Sequence, residues 1–119
     1  MTVLLVAVGG VIGVLARYGL GTAVSPASLP WMTCAINVAG SFVLGAVLAC
    51  SAQLSDPVRS GLAVGLCGGF TTFSTVTVQV FFDAKGGDAG FALLYLAASV
   101  AGGLLAAALG YYSGRALVA

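Results

Sequence analysis

Four long apolar runs, near residues 2 to 22, 31 to 54, 60 to 82 and 89 to 114, take up nearly all of this 119-residue sequence. A helix needs about 20 apolar residues, at a rise of about 1.5 Å each, to cross the hydrocarbon core of a bilayer. Hydrophobic residues make up 61% of the chain and charged residues only 6%, which excludes an ordinary soluble domain. The sequence therefore predicts an all-α membrane protein with four transmembrane helices, in which residues 1–119 form a single unit. No basic segment precedes the first run, so we expect that run to stay in the membrane.

The third run is interrupted by glycines and hydroxyl side chains between residues 65 and 77, Gly-Leu-Cys-Gly-Gly-Phe-Thr-Thr-Phe-Ser-Thr-Val-Thr. Inside hydrocarbon no water satisfies freed backbone groups, so irregular backbone persists there only when protein buries it or a wet cavity adjoins it. This passage predicts a broken third helix and, with it, a pore, a binding site, or both.

The connections between the runs are short and rich in helix breakers, as in 25–30, 55–57 and 83–88. Short connections favour antiparallel neighbouring helices. Ser55 or Asp56 is suited to cap the third helix, with Pro57 in its first turn.

Small residues recur every four positions, which favours close helix packing. They form three strips: Gly9 and Gly13; Gly61, Gly65 and Gly69; Gly102, Ala106 and Gly110.

Polar residues also recur every four positions, which places them on one helix face. The three stripes are Thr33, Asn37 and Ser41; Thr71, Thr75 and Gln79; Tyr95 and Ser99. One interpretation is that these side chains only bond between helices or back to carbonyls. Three stripes beside a broken helix favour a polar pathway instead.

Arg17 lies in the first span and has two possible roles. It either anchors the first helix structurally or faces a water-filled vestibule where it concentrates anions.

Composition argues against several classes of function. The chain has no histidine, its three carboxylates (Asp56, Asp83 and Asp88) fall in loops, and its three cysteines fall in spans without metal-ligand spacing. No ligand set for zinc or acid–base pair is evident, so we do not expect an enzyme. A net charge of +1 argues against a nucleic-acid partner.

The basic residues divide evenly between the two sides of the membrane. Arg17 and Lys85 fall with the first and third connections, and Arg59 and Arg115 with the second connection and the C-terminus. Because lysine and arginine bias sets orientation, the chain has little to orient it, and antiparallel homodimers are plausible.

Three motifs carry a resemblance to a known family: Gly-Gly-x-x-Gly-x-x-x-Arg-Tyr at 9 to 18, Asn-x-x-Gly-Ser-Phe at 37 to 42, and Gly-Leu-Cys-Gly-Gly-Phe-Thr-Thr-Phe-Ser-Thr at 65 to 75. Over essentially its full length the chain resembles the Fluc/CrcB family of fluoride channels. The resemblance implies an antiparallel, dual-topology dimer in a microbial plasma membrane, with two pores that export cytoplasmic fluoride passively.

The resemblance also implies site residues. A structural Na⁺ at the dimer interface would be held by the main-chain oxygens of Gly68 and Thr71 from both subunits, where glycine suits a backbone that must leave helical geometry. The implied fluoride pore is lined by Asn37, Phe73, Ser74, Thr75, Tyr95 and Ser99.

Val76 departs from the family pattern, which has a second phenylalanine there. Either the pore tolerates one phenylalanine, or the chain forms a heterodimer with a related subunit.

Two other classes of function stay open: a small multidrug exporter, which needs a membrane-embedded acid that this sequence lacks, and a purely structural membrane subunit.

Overall fold

The computed structural model describes residues 1–119, and every regular element in it is helical. The first two spans are α1 (Thr2–Thr22) and α2 (Leu29–Ala49), which a 3₁₀ turn follows at Ser51–Gln53. The third span contains α3 (Asp56–Ser60), a π-helical stretch (Gly61–Cys67), α4 (Gly68–Phe70) and α5 (Phe73–Lys85), and the fourth is α6 (Ala89–Val118). Four stretches are long and apolar enough to cross a membrane, which confirms that prediction.

Helix ends differ from the apolar runs by a few residues. α2 begins at Leu29 with Pro30 in its first turn. Proline is tolerated there because the N–H that it lacks would have no partner within the helix. Ser55 precedes α3 as its N-cap residue, although its side chain makes no capping bond. Asp88 caps α6 by accepting a hydrogen bond from the Phe91 N–H at 3.1 Å.

α1 packs along the first half of the third span through glycines. A Cβ atom added at Gly9 would overlap the backbone of Gly61, and one added at Gly13 would overlap the backbone of Leu66 and Phe70. Residue numbers rise together along both helices, so the first and third spans run parallel.

α2 packs along α6 in the same way. A Cβ atom at Gly110 would overlap the Phe42 carbonyl, and one at Gly114 would lie 2.8 Å from the Ala46 carbonyl oxygen, so residue numbers again rise together along both helices. The second and fourth spans are therefore also parallel, and consecutive spans are antiparallel. These contacts confirm the predicted close packing at the small-residue strips.

The interior between these helices is small. Tyr95 is the only large side chain that is fully buried, while long apolar side chains such as Leu104 and Leu117 are exposed. An apolar exterior of this extent suits a lipid environment or contact with another subunit.

Candidate functional site

The third span leaves helical geometry at Thr71 and Thr72. Thr71 has φ −90° and ψ 158°, and Thr72 has φ −150° and ψ 117°, both in the extended region. The midpoint of the 30-residue stretch Asp56–Lys85 falls between Phe70 and Thr71, so this irregularity lies halfway along the span. β-branched side chains favour extended backbone, and threonine is a good residue to begin a helix.

Gly68 does not leave helical geometry, contrary to the sequence-based expectation. Its φ of −64° and ψ of −36° are helical, and the departure begins three residues later. The neighbouring Gly69 is small for a packing reason instead, because a Cβ atom there would lie 2.6 Å from the Gly10 carbonyl oxygen of α1. Gly69 brings α1 close, and the threonine pair interrupts the helix.

Asn37 of α2 binds the irregular backbone at two points. Its Nδ2 donates to the Thr72 carbonyl at 2.9 Å, and its Oδ1 accepts from the Thr72 N–H at 2.7 Å. A side-chain amide carries two N–H donors, so one remains for another acceptor. Both the structural and the pore-lining interpretations of Asn37 are therefore chemically compatible.

Thr72 begins α5 and connects several groups through its hydroxyl. Thr72 Oγ1 accepts from the Thr75 N–H at 3.2 Å, donates to Thr75 Oγ1 at 3.0 Å, and lies 3.2 Å from Ser74 Oγ. Sequence reasoning did not single out Thr72. The signal that could have identified it is the position of Thr72 three residues before another polar residue, Thr75, at the start of an amphipathic run, a pattern that indicates the beginning of a helix.

Arg17 reaches the same region from α1. Its Nε donates to the Gly69 carbonyl at 3.2 Å, and the side chain is half-buried. The contact supports a structural role, and Arg17 also lines a cavity, so the vestibule interpretation stays open.

Two cavities meet at Thr72. The first, of about 240 Å³, lies between α2, α5 and α6 and is called the inner cavity here. Its lining residues are Asn37, Gly40, Ser41, Leu44, Thr71, Thr72, Phe73, Val76, Leu96, Ser99, Val100 and Gly103. The second, of about 370 Å³, is called the Arg17 cavity and is lined by Val14, Arg17, Tyr18, Gly21, Thr22, Leu29, Thr33, Ile36, Thr72 and Thr75.

The predicted pore residues are divided between these spaces. Asn37, Phe73 and Ser99 line the inner cavity, whereas Thr75 lines the Arg17 cavity. Thr71 and Thr75, predicted to share a helix face, lie on opposite sides of the helix start and line different cavities.

The remaining two predicted pore residues lie outside both linings. Ser74 is exposed at the start of α5. Tyr95 lies beneath Trp31 and Phe91, with ring centroids 5.8 Å and 6.1 Å away.

Two hydroxyl groups of α6 are buried without a hydrogen-bond partner, those of Tyr95 and Ser99. A buried polar group without a partner is destabilising unless a ligand or water meets it. Phe73, in contrast, is 75% exposed at the edge of the inner cavity. The inner cavity thus offers the unpartnered hydroxyl of Ser99 beside an exposed aromatic ring.

Val76 lines the inner cavity and is only 4% exposed. Its side chain therefore faces the interior of the subunit, next to the space that a larger side chain would fill.

No cluster of histidine, cysteine, aspartate or glutamate suited to a metal is present. Any cation at this site would rely on backbone and hydroxyl oxygens, which suit hard ions such as Na⁺ rather than transition metals.

Comparison with known proteins gives one consistent result. The family described as CrcB-like protein, Camphor Resistance (CrcB), matches residues 4–111. Proteins from two strains of Thermus thermophilus are each 48% identical over 97% of this chain and over 94% and 96% of their own lengths. A protein from Chlorobium luteolum is 43% identical over 89% of this chain and 86% of its own. All three bear the name fluoride-specific ion channel FluC. This chain, a multi-pass membrane protein, belongs to the CrcB family.

Proposed function

We propose that this chain, as a single domain, is one subunit of a fluoride-selective channel. The channel lets cytoplasmic fluoride leave passively across the plasma membrane. The observation that carries the proposal is the inner cavity, where the free N–H of Asn37 and the unpartnered hydroxyl of Ser99 line a space at mid-span. The names of the similar proteins support fluoride as the ion.

Fluoride is a small anion that holds its water strongly, so a pore must replace those water molecules with other donors. Asn37 and Ser99 supply such donors within the inner cavity, and Ser74 and Thr75 supply hydroxyls at the start of α5. Phe73 adds a ring whose positive edge suits an anion. Tyr95, four residues before Ser99 in α6, contributes its buried hydroxyl.

We also propose an antiparallel homodimer with two pores and a structural Na⁺ between the broken third helices. The ligands would be the main-chain oxygens of Gly68 and Thr71 from both subunits. Thr72 N–H and Thr75 N–H, which would pair with these two oxygens in a continuous α-helix, bond elsewhere. Two carbonyl oxygens released from helical pairing fit a hard cation, which compensates for backbone groups left unpaired in lipid.

A proton-coupled multidrug exporter fits the structure less well. Such a transporter needs an acidic residue inside the membrane. Asp56 begins α3, Asp83 lies near the end of α5 and Asp88 caps α6, so none is near mid-span.

Replacing Phe73 with leucine distinguishes a channel from a structural subunit. Phe73 is exposed and is not among the ring–ring contacts of the subunit, so Phe73→Leu should assemble normally. Fluoride efflux from liposomes should fall about tenfold, which corresponds to a rise of about 1.4 kcal/mol in the free-energy barrier to fluoride passage. Phe81→Leu, which changes another exposed phenylalanine of α5, is the matched control and should keep its flux. Equal flux from Phe73→Leu and Phe81→Leu would remove Phe73 from the pore.

A further inference from the structure

Two hydrogen bonds that a continuous third helix would contain are replaced by bonds to side chains. In an α-helix the Gly68 carbonyl accepts from the Thr72 N–H, and the Thr71 carbonyl accepts from the Thr75 N–H. Here the Thr72 N–H donates to Asn37 Oδ1 at 2.7 Å, and the Thr75 N–H donates to Thr72 Oγ1 at 3.2 Å. The two redirected N–H groups are the ordinary partners of the two proposed Na⁺ ligands.

Both redirecting oxygens are firmly held. Asn37 also donates to the Thr72 carbonyl, so the amide binds one residue at two points across 35 positions of sequence. Thr72 Oγ1 bonds the Thr75 N–H and the Thr75 hydroxyl together. An N–H hydrogen carries positive partial charge, so its removal from a carbonyl leaves that oxygen a better ligand for a cation.

We propose that Asn37 and Thr72 are positioning residues for the cation site: each withholds one backbone N–H from a carbonyl that would bind Na⁺. This inference rests on the proposed function, in which Na⁺ lies between the two third helices. It assigns to Asn37 a role besides donating to fluoride, and it gives Thr72 a role where none was predicted.

Thr72→Val is the most direct test, because valine keeps the shape of threonine and removes only the hydroxyl bonds. Without Oγ1, the Thr75 N–H is free to pair with the Thr71 carbonyl. We expect the Na⁺ concentration for half-maximal thermal stabilisation of the purified dimer to rise about tenfold. A tenfold change in affinity is about what one hydrogen bond contributes. The titration replaces Na⁺ with a bulky organic cation at constant ionic strength and needs no transported ion.

Three variants control this experiment. Thr77→Val removes a hydroxyl of α5 that donates to the Ser74 carbonyl at 2.9 Å and redirects no N–H, so its Na⁺ midpoint should match wild type. Thr72→Ser keeps Oγ and should restore the midpoint. Asn37→Leu releases the Thr72 N–H to the Gly68 carbonyl and should raise the midpoint as Thr72→Val does.

Each outcome decides the matter. A wild-type dimer whose stability does not respond to Na⁺ would overturn the Na⁺ site and this inference together, while fluoride efflux could persist. A responsive wild type with an unchanged midpoint in Thr72→Val would overturn this inference alone. Variants that assemble only at high Na⁺ support it, because mass action refills a weakened site, and variants that fail at every Na⁺ concentration contradict it.

Discussion

Val76 stands where the resemblance in sequence implies a second phenylalanine, and the surroundings of Val76 show what such a change would affect. The side chain is 4% exposed and borders the inner cavity of about 240 Å³ together with Asn37 and Ser99. A valine here leaves space beside the polar groups and gives no aromatic edge. The departure therefore affects the width of the cavity more than the packing of the helices.

Val76→Phe should be accommodated, because the new ring can occupy the adjoining cavity. The loss in free energy of unfolding should therefore be smaller than the roughly 1 to 3 kcal/mol that is typical of overpacking a filled core. We expect normal assembly and a higher ratio of fluoride to chloride efflux from liposomes. Val78→Phe, at a 53% exposed position two residues on, serves as the control and should leave the ratio unchanged. An unchanged ratio in Val76→Phe would exclude the inner cavity as the place where anion size is sensed.

At the residue scale, the sequence predicts the types of group at the site better than their partners. Asn37 stands out because an amide is rare in lipid, but its pairing with Thr72 depends on a contact across 35 positions. Thr72 was missed because its importance arises from that contact. Gly68 was expected to leave the helix because glycine permits it, whereas the helix ends at the threonines and the neighbouring Gly69 lets α1 pack closely.

At the scale of helices, two parallel pairs form the subunit, α1 with the first half of the third span and α2 with α6. The four-residue spacing of small residues predicted this close packing, because in lipid van der Waals contact replaces the hydrophobic effect as the force between helices. The pairing itself was not evident, since the same strips would serve antiparallel neighbours equally well.

Gly110→Ala should destabilise the α2–α6 pair, because the added Cβ would overlap the Phe42 carbonyl. We expect a loss of about 1 to 3 kcal/mol in free energy of unfolding, the usual range for overpacking, measured by thermal or detergent-induced unfolding. Gly90→Ala is the matched control in the same helix, since nothing lies within 4 Å of its added Cβ. Alanine favours the helix more than glycine does, so a loss in Gly90→Ala as large as in Gly110→Ala would mean that contact with α2 does not cause the effect.

At the scale of the whole molecule, charge balance determines which assemblies can form. Two basic residues lie toward each side of the membrane, so one substitution should give the chain a preferred orientation. A homodimer of opposed subunits needs both orientations in similar amounts. The proposed antiparallel arrangement thus depends on residues far from the proposed pore.

Lys85→Ala should favour the orientation with both termini in the cytoplasm, and Arg59→Ala should favour the reverse. Each variant alone should lose most fluoride efflux in cells, and co-expression of the two should restore it, because each then supplies the orientation that the other lacks. Labelling of single cysteines from either side of the membrane measures the orientations directly. Full efflux from Lys85→Ala expressed alone, with one orientation only, would contradict the antiparallel dimer.

Selective conduction of fluoride by this chain is the central claim, and paired efflux measurements test it most directly. Liposomes that contain only this chain and equal amounts of potassium fluoride and potassium chloride are diluted into impermeant salt, and ion-selective electrodes follow both anions after the potassium ionophore valinomycin is added. The account predicts rapid loss of fluoride with chloride retained. Equal loss of the two anions, or loss of neither, would contradict it.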